Sequence, residues 1–294
     1  MDLIEKVENA VVNAGSSYGK DRLAAYKKAL NLEMEKGNDN AVWALEQMIE
    51  NFIVANENKL PLCDDTGIPH VLIEIGKNRE IPSNFFNDIN IGIENGLERL
   101  PGRPMAVKGN DIERIEQSKG LYSQASMMKP ASFLIEQRDD STYGRLIGND
   151  YDKIKINILL EGGGPEIRAK TYRVFHKRDS NIVLGEAIDW LKDSLSMLGC
   201  TPSIPSIGIG RTHFEANALM LRAMVHGSLD NQSEIENYVS HELNSTNIGP
   251  LALGGETTVL GSFVNIGYQR ASGVRIVAVR PACFVEPRVS GFEI

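Results

Sequence analysis

Three cysteines are the residues of this sequence best suited to metal chemistry: Cys63, Cys200 and Cys283. Each lies in a segment rich in glycine, proline or carboxylates. A [4Fe-4S] cluster is held by four thiolates, so three protein ligands would leave one iron open to act as a Lewis acid. The number of cysteines is also consistent with two simpler roles. Cysteines often only pack in a core, and His70 could complete a Cys3His zinc site, although such sites usually have two ligands at close spacing.

Two adjacent carboxylates, Asp64 and Asp65, directly follow the first cysteine, and Thr66 and Gly67 complete the loop. A carboxylate in this position could act as a general base, or could orient a metal-bound water or a substrate hydroxyl. Threonine and glycine are also typical of a turn in which an aspartate side chain caps the backbone. Taken alone, this segment favours the turn.

Two glycine-rich segments could bind an anion. Gly162, Gly163 and Gly164 follow a predicted strand, and consecutive glycines let backbone N–H groups surround a phosphate or carboxylate. They lack the spacing of a P-loop or of a dinucleotide-binding motif, so a tight turn is equally consistent with them. The segment 249–258 contains three glycines and ends in Thr257 and Thr258, which indicates either a binding loop or a long surface turn.

Charge and hydropathy exclude several classes of protein. The net charge of −8 argues against a protein whose main partner is nucleic acid or an anionic membrane. No apolar run reaches the length of a membrane span, and the polar N-terminus lacks the regions of a signal peptide. Three cysteines in 294 residues do not indicate a disulfide scaffold. We therefore expect a cytoplasmic protein with neither a nucleic-acid nor a membrane partner.

The predicted elements that must position these residues indicate an α+β fold. A helical N-terminal lobe (residues 1–60) precedes a mixed α/β body (residues 61–294) that carries the cysteine loops, and the two form a single domain. In the lobe, apolar residues recur at helical spacing, Asp21 is predicted to cap the second helix and Gly37 to end it. The remaining predictions are helices at 38–56, 84–100, 184–198, 213–225 (capped by Thr212) and 232–243, strands at 70–76, 153–160 and, as the last strand, 274–279, and irregular structure at 101–150.

In this order the segments resemble one family, the iron-sulfur hydro-lyases that comprise class I fumarate hydratases and the α subunits of L(+)-tartrate dehydratases. Cys-Asp-Asp-Thr-Gly at 63–67 is similar to the family's Cys-Gln-Asp-Thr-Gly. Cys-Thr-Pro at 200–202 and the glycine-rich turn at 207–212 match the family's second cysteine loop and the turn that follows it. The segments 161–166 and 249–258 match its two glycine-rich motifs, and Cys283 follows a strand as the third cysteine does.

The resemblance implies a [4Fe-4S] cluster on Cys63, Cys200 and Cys283, and reversible dehydration of a small hydroxy dicarboxylic acid at the open iron. It implies a separate β subunit, because the chain ends shortly after Cys283, and an α homodimer within an α2β2 assembly. The implied catalytic residues are Asp65 and Asp64. The implied substrate-binding residues are Gln124, Gly162, Gly163, Gly164, Thr257, Thr258 and Arg288.

Four positions depart from the family pattern and make the expected pocket more negative. They are Gln124 in place of an arginine, Glu161 and Glu256 in place of lysines, and Ala271 in place of a histidine. Arg270, Lys129 or Arg168 could compensate. The first hypothesis is therefore a hydro-lyase for a substrate other than plain fumarate or tartrate. Its alternatives are a protein whose open iron binds sulfide or another small ligand, and a non-catalytic iron-sulfur or zinc subunit.

Overall fold

The computed structural model describes residues 2–138 and 152–294, and it divides the chain into two compact units. Unit 1 comprises Met1–Ser17, Phe52–Gly163 and Arg288–Ile294, and unit 2 comprises Tyr18–Asn51 and Gly164–Pro287. The predicted α+β class is confirmed. The N-terminal helical region consists of α1 (Leu3–Ser16), α2 (Lys20–Lys36) and α3 (Asp39–Asn58). That the chain forms a single domain stays a prediction.

Unit 1 is built on a four-stranded sheet of β1 (Ile68–Gly76), β2 (Ser132–Arg138), β3 (Ile154–Glu161) and β8 (Arg288–Glu293). Its strand order is β2-β1-β3-β8, with β1 and β2 parallel and the other pairs antiparallel. Helices α1 and α4 (Phe85–Arg99) share its hydrophobic core. Gly92 and Gly96 of α4 face Val7 and Val11 of α1, where any larger side chain would collide. A short helix α5 (Asp111–Glu116) and a 3-10 turn (Ala125–Met128) complete the unit.

Unit 2 has its own four-stranded sheet of β4 (Lys170–Phe175), β5 (Ser206–Gly210), β6 (Phe263–Ile266) and β7 (Val274–Arg280). The strand order is β4-β7-β5-β6, in which β7 is antiparallel to both of its neighbours and β5 and β6 are parallel. The helices are α6 (Gly163–Glu166, beginning at the last residue of unit 1), α7 (Ser180–Leu198), α8 (His213–His226) and α9 (Glu234–Asn244), and a 3-10 turn spans Pro250–Ala252. Aliphatic side chains of the sheet and of α7 and α9 form the core.

Most of the predicted helices are confirmed, because local signals mark their ends. Gly37 and Gly199 adopt the left-handed conformation that ends α2 and α7. Thr212 caps α8 by accepting a hydrogen bond from the Glu215 backbone N–H. The predicted cap at Asp21 is wrong: Gly19 is the N-cap of α2, and the Asp21 carboxylate accepts a hydrogen bond from the backbone N–H of Leu229. Among the helices of residues 2–138 and 152–294, none combines the length and the hydrophobicity that a transmembrane span requires.

Three predictions about the strands are wrong. The segment 207–210, read as a turn, belongs to β5: Ile207 and Ile209 alternate with glycines, and α8 packs so close to Gly208 that a Cβ there would overlap the Ala216 carbonyl. The strand at 274–279 is not the last, because β8 follows it and pairs with β3. The region 101–150 is not irregular throughout, because β2 lies within it and pairs with β1. Residues 139–151 lie outside the described residues.

Candidate functional site

The Cys63 loop in unit 1 is fixed on both sides by the backbone. Leu62 N–H donates to the Gly15 carbonyl (2.9 Å), and Arg103 N–H donates to the Asp64 carbonyl (2.8 Å). The thiol of Cys63 is partly exposed and points to Asp64 Oδ1, with 3.6 Å between Sγ and the oxygen. Burial is the main cause that raises the pKa of the Cys63 thiol, while the Asp65 backbone and the Arg288 guanidinium act in the opposite direction.

The buried Arg288 side chain holds this loop through hydrogen bonds to its backbone. Its side chain is 2% exposed, and it donates to the carbonyl oxygens of Leu160 (3.1 Å, from Nε) and Asp65 (2.6 Å, from Nη1). Gly67 has a φ of 83°, and a Cβ there would collide with the guanidinium. Among the described residues no carboxylate forms an ion pair with Arg288, and its charge is stabilised by the backbone carbonyls to which it donates. Its predicted contact with a substrate stays a prediction.

The two aspartates of the loop differ in their surroundings. Both carboxylate oxygens of Asp65 accept backbone hydrogen bonds, Oδ1 from Gly67 N–H (3.0 Å) and Oδ2 from Gly163 N–H (2.9 Å). Asp64 is exposed, and its Oδ2 lies 3.1 Å from Nη1 of Arg103 at the surface. Asp65 therefore joins the cysteine loop to the first glycine-rich segment, and Asp64 is the carboxylate that a solvent-borne molecule can reach.

The other residues predicted for unit 1 are placed as follows. Gln124 is exposed at the start of the 3-10 turn and accepts a hydrogen bond from the Ser123 hydroxyl. Glu161 is buried beside His70, with 3.9 Å between its Oε1 and the imidazole Nδ1. Lys129 pairs with Glu94 at 2.5 Å, which commits the charge that was expected to compensate for the missing arginine. Gly162 and Gly163 directly follow β3, and Gly164 is the first residue of unit 2.

Cys200 lies in unit 2 just past the C-terminus of α7. The Arg168 guanidinium holds this end of the helix, because it donates to the carbonyl oxygens of Met197 (2.8 Å) and Gly164 (2.9 Å). Burial raises the pKa of the Cys200 thiol, and the nearby Arg168 charge reduces the rise. Arg168 thus places a positive charge near the thiol while it positions the turn that carries it.

Cys283 lies next to the Cys200 loop. Phe284 N–H donates to the carbonyl of Cys200 (2.8 Å), and Ala282 N–H donates to the Ser203 hydroxyl (2.9 Å). Strands β5 and β7 are antiparallel, so the start of β5 lies beside the end of β7. The segment before β5 and the segment after β7 therefore leave the sheet on the same side. The fold therefore brings two of the three cysteine loops together within one unit.

A buried ion pair closes the Cys283 loop. Arg280 and Glu286 flank the cysteine at equal distances along the chain and form a bidentate pair, with N–O distances of 3.0 and 3.3 Å. Their side chains are 1% and 0% exposed. Nε of Arg280 also donates to Glu166 (3.1 Å), which is half exposed. Such a pair has little freedom to open, so it holds the ends of the loop at a fixed separation.

Helix α2 holds the far side of the same loop through its buried polar face. The Arg22 guanidinium donates to the carbonyl oxygens of Val285 (2.9 Å) and Pro287 (2.7 Å). The fully buried Tyr26 hydroxyl donates to the Phe284 carbonyl (2.6 Å). Burial is the main cause that raises the pKa of Tyr26, so this hydroxyl stays protonated and remains a donor.

The second glycine-rich segment does bind an anion, but the anion belongs to the protein. Glu33 of α2 is fully buried, and its carboxylate accepts hydrogen bonds from the backbone N–H groups of Glu256 (3.2 Å) and Thr257 (2.7 Å). Thr258 is fully buried and its hydroxyl accepts from Gly249 N–H (3.2 Å). These backbone donors are therefore engaged within the protein, and the substrate-binding roles predicted for Thr257 and Thr258 stay predictions.

The donor chemistry of the three cysteines fits an iron-sulfur cluster. All three are free thiols, and none is buried, so each can reach a ligand. Within neither unit do the described residues bring three or more His, Cys, Asp or Glu side chains into a group that could hold a metal ion. Cys63 belongs to unit 1, and Cys200 and Cys283 belong to unit 2, where their loops are hydrogen-bonded to each other.

Sequence reasoning did not find the residues that hold these loops. Arg22, Tyr26 and Glu33 occur at helical spacing on α2, but in the sequence they look like ordinary surface positions. Arg280 and Glu286 carried a usable signal, because opposite charges flank Cys283 symmetrically. Two of the positions that depart from the family pattern lie in unit 2. Glu256, in place of a lysine, is partly exposed in the loop held by Glu33, and Ala271, in place of a histidine, is exposed. Arg270, which was expected to compensate, is also exposed.

Comparisons with known proteins agree with this arrangement of motifs. The sequence model of the family described as fumarate hydratase (Fumerase) matches residues 4–291. The chain is 28% identical over 252 residues to a Methanocaldococcus jannaschii protein named "Putative L(+)-tartrate dehydratase subunit alpha", covering 82% of this chain and 79% of that protein. It is 22% identical over 285 residues to the "Putative fumarate hydratase class I" of Geobacillus stearothermophilus, covering 88% of this chain but only 49% of that protein. Because the family model spans nearly the whole sequence, the chain belongs to the fumarate hydratase (Fumerase) family.

Proposed function

We propose that the protein is the α-type subunit of a [4Fe-4S]-dependent hydro-lyase that reversibly dehydrates a small hydroxy acid. Family membership and the names of both relatives support the reaction class. The observation that carries the proposal is the direct hydrogen bond between the Cys200 and Cys283 loops, together with the solvent exposure of Cys200 and the partial exposure of Cys63 and Cys283. Cysteines that only pack in a core would be buried and would not require adjoining loops.

Cys63, Cys200 and Cys283 would be the ligands of this cluster. When bound, the cluster would supply Lewis-acid chemistry for the loss of hydroxide from the substrate. The chain itself must then remove a proton from the neighbouring carbon. Asp64 and Asp65 are the candidates for this base, and the geometry favours Asp64, because both oxygens of Asp65 already accept backbone hydrogen bonds. Asp65 would act instead by holding the Cys63 loop against Gly163.

The substrate would be less anionic than fumarate or tartrate. Gln124 cannot form the charged bidentate pair that an arginine makes with a carboxylate, and Lys129 is paired with Glu94. Glu161 and Glu256 add negative charge where the family has lysines. The cations near the thiols, Arg288 in unit 1 and Arg168 in unit 2, are held by backbone carbonyls. A small acid with a single carboxylate fits this balance better than a dianion.

The active assembly would contain a second kind of subunit. The Methanocaldococcus jannaschii relative is named as a subunit alpha, and this chain covers 79% of it. The chain covers only 49% of the relative named as a class I fumarate hydratase, which is roughly twice as long. We propose a separate β subunit that completes the site, and two copies of this chain in an α2β2 assembly.

The test is turnover of a panel of hydroxy acids by protein purified without oxygen, alone and with the copurifying partner. We expect dehydration only with the partner, and loss of turnover in the variants Cys63→Ser, Cys200→Ser and Cys283→Ser. Tightly bound sulfide or another small ligand without turnover would favour the alternative of a ligand-carrying cluster protein. Retained turnover in any cysteine variant would contradict the ligand assignment.

A further inference from the structure

Unit 2 contains a cavity of about 420 Å³ at one end of its strands, and the cysteine loops lie at the other end. It is bounded by the last residues of β5 and β6, the first residues of β7, the segment after β4, and the N-terminal turns of α7 and α9. Arg275 lines this cavity near the start of β7, and Cys283 follows the end of the same strand. Along β7, Arg275 and Arg280 are five residues apart, roughly 17 Å in an extended strand. Arg280 lies at the end of the strand that leads to Cys283.

The floor of this cavity is aliphatic. Val183, Leu184 and Ile209 form part of it and belong to the hydrophobic core of the unit, and Ile235 packs against that core. Ile266 also lines the cavity, yet 43% of its surface is exposed. Apolar surface of this kind gains free energy when a hydrocarbon group covers it. The volume lies in the range in which proteins bind small organic molecules.

The rim of the cavity carries fixed positive charge. Nη1 of Arg275 donates to the backbone carbonyl of Val274 (3.0 Å) and, at longer distance, to those of Ser272 and Arg270, which holds the guanidinium in place. Within residues 2–138 and 152–294, neither Arg275 nor Arg178, which also lines the rim, forms an ion pair. A guanidinium held in this way loses little conformational entropy when it binds an anion.

The acidic side chain that lines the cavity is already engaged. Asp179 caps α7 by accepting a hydrogen bond from Asn181 N–H (2.8 Å). The N-terminus of α7, a helix of 19 residues, points its partial positive charge toward the same rim. Among the described lining residues, the two guanidinium groups of Arg275 and Arg178 outnumber the one carboxylate of Asp179. The rim therefore favours a negative group, and the aliphatic floor favours a hydrocarbon chain attached to that group.

We propose that this cavity binds a small organic carboxylate with an aliphatic chain, at a site separate from the cysteine loops. The carboxylate would lie between Arg275 and Arg178, and the chain would cover Ile266, Ile235 and Leu184. The proposal needs neither the cluster nor the partner subunit, so it can fail while the proposed hydro-lyase function holds, and the reverse.

The experiment is isothermal titration calorimetry of the full chain with three probes: octanoate, its uncharged analogue octanamide, and acetate. We expect octanoate to bind with a stoichiometry of one per chain, at least tenfold more tightly than either of the others. Arg275→Gln and Arg178→Gln should each weaken octanoate at least tenfold and leave octanamide unchanged. The Arg178 side chain forms no hydrogen bond within the described residues, so misfolding would not explain a loss of octanoate affinity in Arg178→Gln.

The matched control is Arg173→Gln. Arg173 is an exposed arginine of β4 whose guanidinium lies over the Phe175 ring and does not line the cavity, so this variant should bind octanoate as the wild type does. Three results would each overturn the proposal. These are octanamide binding as tightly as octanoate, no binding of octanoate at stoichiometry one, and an equal loss of affinity in the Arg173 variant.

Discussion

The buried pair of Arg280 and Glu286 is the feature of the Cys283 loop whose removal has the most calculable effect. We consider the substitution Glu286→Gln, which keeps the size of the side chain and removes its charge. Glutamine can accept one of the two hydrogen bonds from Arg280 but cannot neutralise it. The second acidic partner, Glu166, lies 3.1 Å from Nε and is 46% exposed, so solvent screens its charge and it compensates little.

The magnitude follows from the burial of both partners. Their side chains are 1% and 0% exposed, so loss of one leaves a charge in a medium that solvates it poorly. Breaking such a pair typically costs about 3–5 kcal/mol. The pair of Lys192 and Glu242 in the same unit is the control, because its side chains are 30% and 34% exposed. We expect Glu242→Gln to cost less than about 1 kcal/mol.

Urea unfolding followed by tryptophan fluorescence measures this difference in the right part of the molecule. Both tryptophans of the chain, Trp43 and Trp190, belong to unit 2. The double variant Arg280→Met with Glu286→Leu should recover much of the lost stability, since apolar replacements of a buried pair are often neutral. If Glu286→Gln costs no more than Glu242→Gln, the pair does not hold the loop.

Three further predictions concern the loops and the pocket. Tyr26→Phe in metal-free protein should speed alkylation of Cys283, because it removes a hydrogen bond to the Phe284 carbonyl. Tyr18→Phe, which removes a longer bond of 3.3 Å to the same carbonyl, should have a smaller effect. Equal alkylation rates of the two variants, measured by peptide mapping, would contradict this. Gly67→Ala should lower the melting temperature of the protein more than Gly37→Ala does, because both glycines have positive φ but only the first has a side chain in the way; equal losses would mean that backbone strain alone matters. Fumarate, L-malate and L-tartrate should be weak substrates even with the partner present, since one lost charged pair typically costs about 2–5 kcal/mol in binding; steady-state rates ordinary for an enzyme would show that the changed positions do not govern specificity.

The sequence was sufficient to predict those parts of the fold that local signals determine. Gly37, Gly199 and Thr212 mark helix ends through their own backbone or side-chain preferences, and the structure confirms each. Strands β2, β4, β6 and β8 are stabilised by partners remote in the sequence, so local patterns did not reveal them. Strand β5 was mistaken for a turn because its glycines serve contact with α8 and not chain reversal.

The candidate site, like the fold, was predictable only where residue type and local sequence carry the signal. The three cysteines and the two aspartates stand out by residue type and loop composition. The residues that hold the loops do not, because Tyr26 and Glu33 act on backbone groups of segments more than two hundred positions away. The backbone N–H groups of the segment 249–258 looked available to a substrate, and only the structure shows that Glu33 engages two of them.

Whether the three cysteines hold a cluster is measured by the iron and acid-labile sulfide content of the full chain, purified without oxygen. We expect close to four irons and four sulfides per chain. Cys63→Ser, Cys200→Ser and Cys283→Ser should each lose them, while the matched control Glu242→Gln should keep them. Stoichiometric zinc without iron, or full iron content in any of the three cysteine variants, would contradict this assignment.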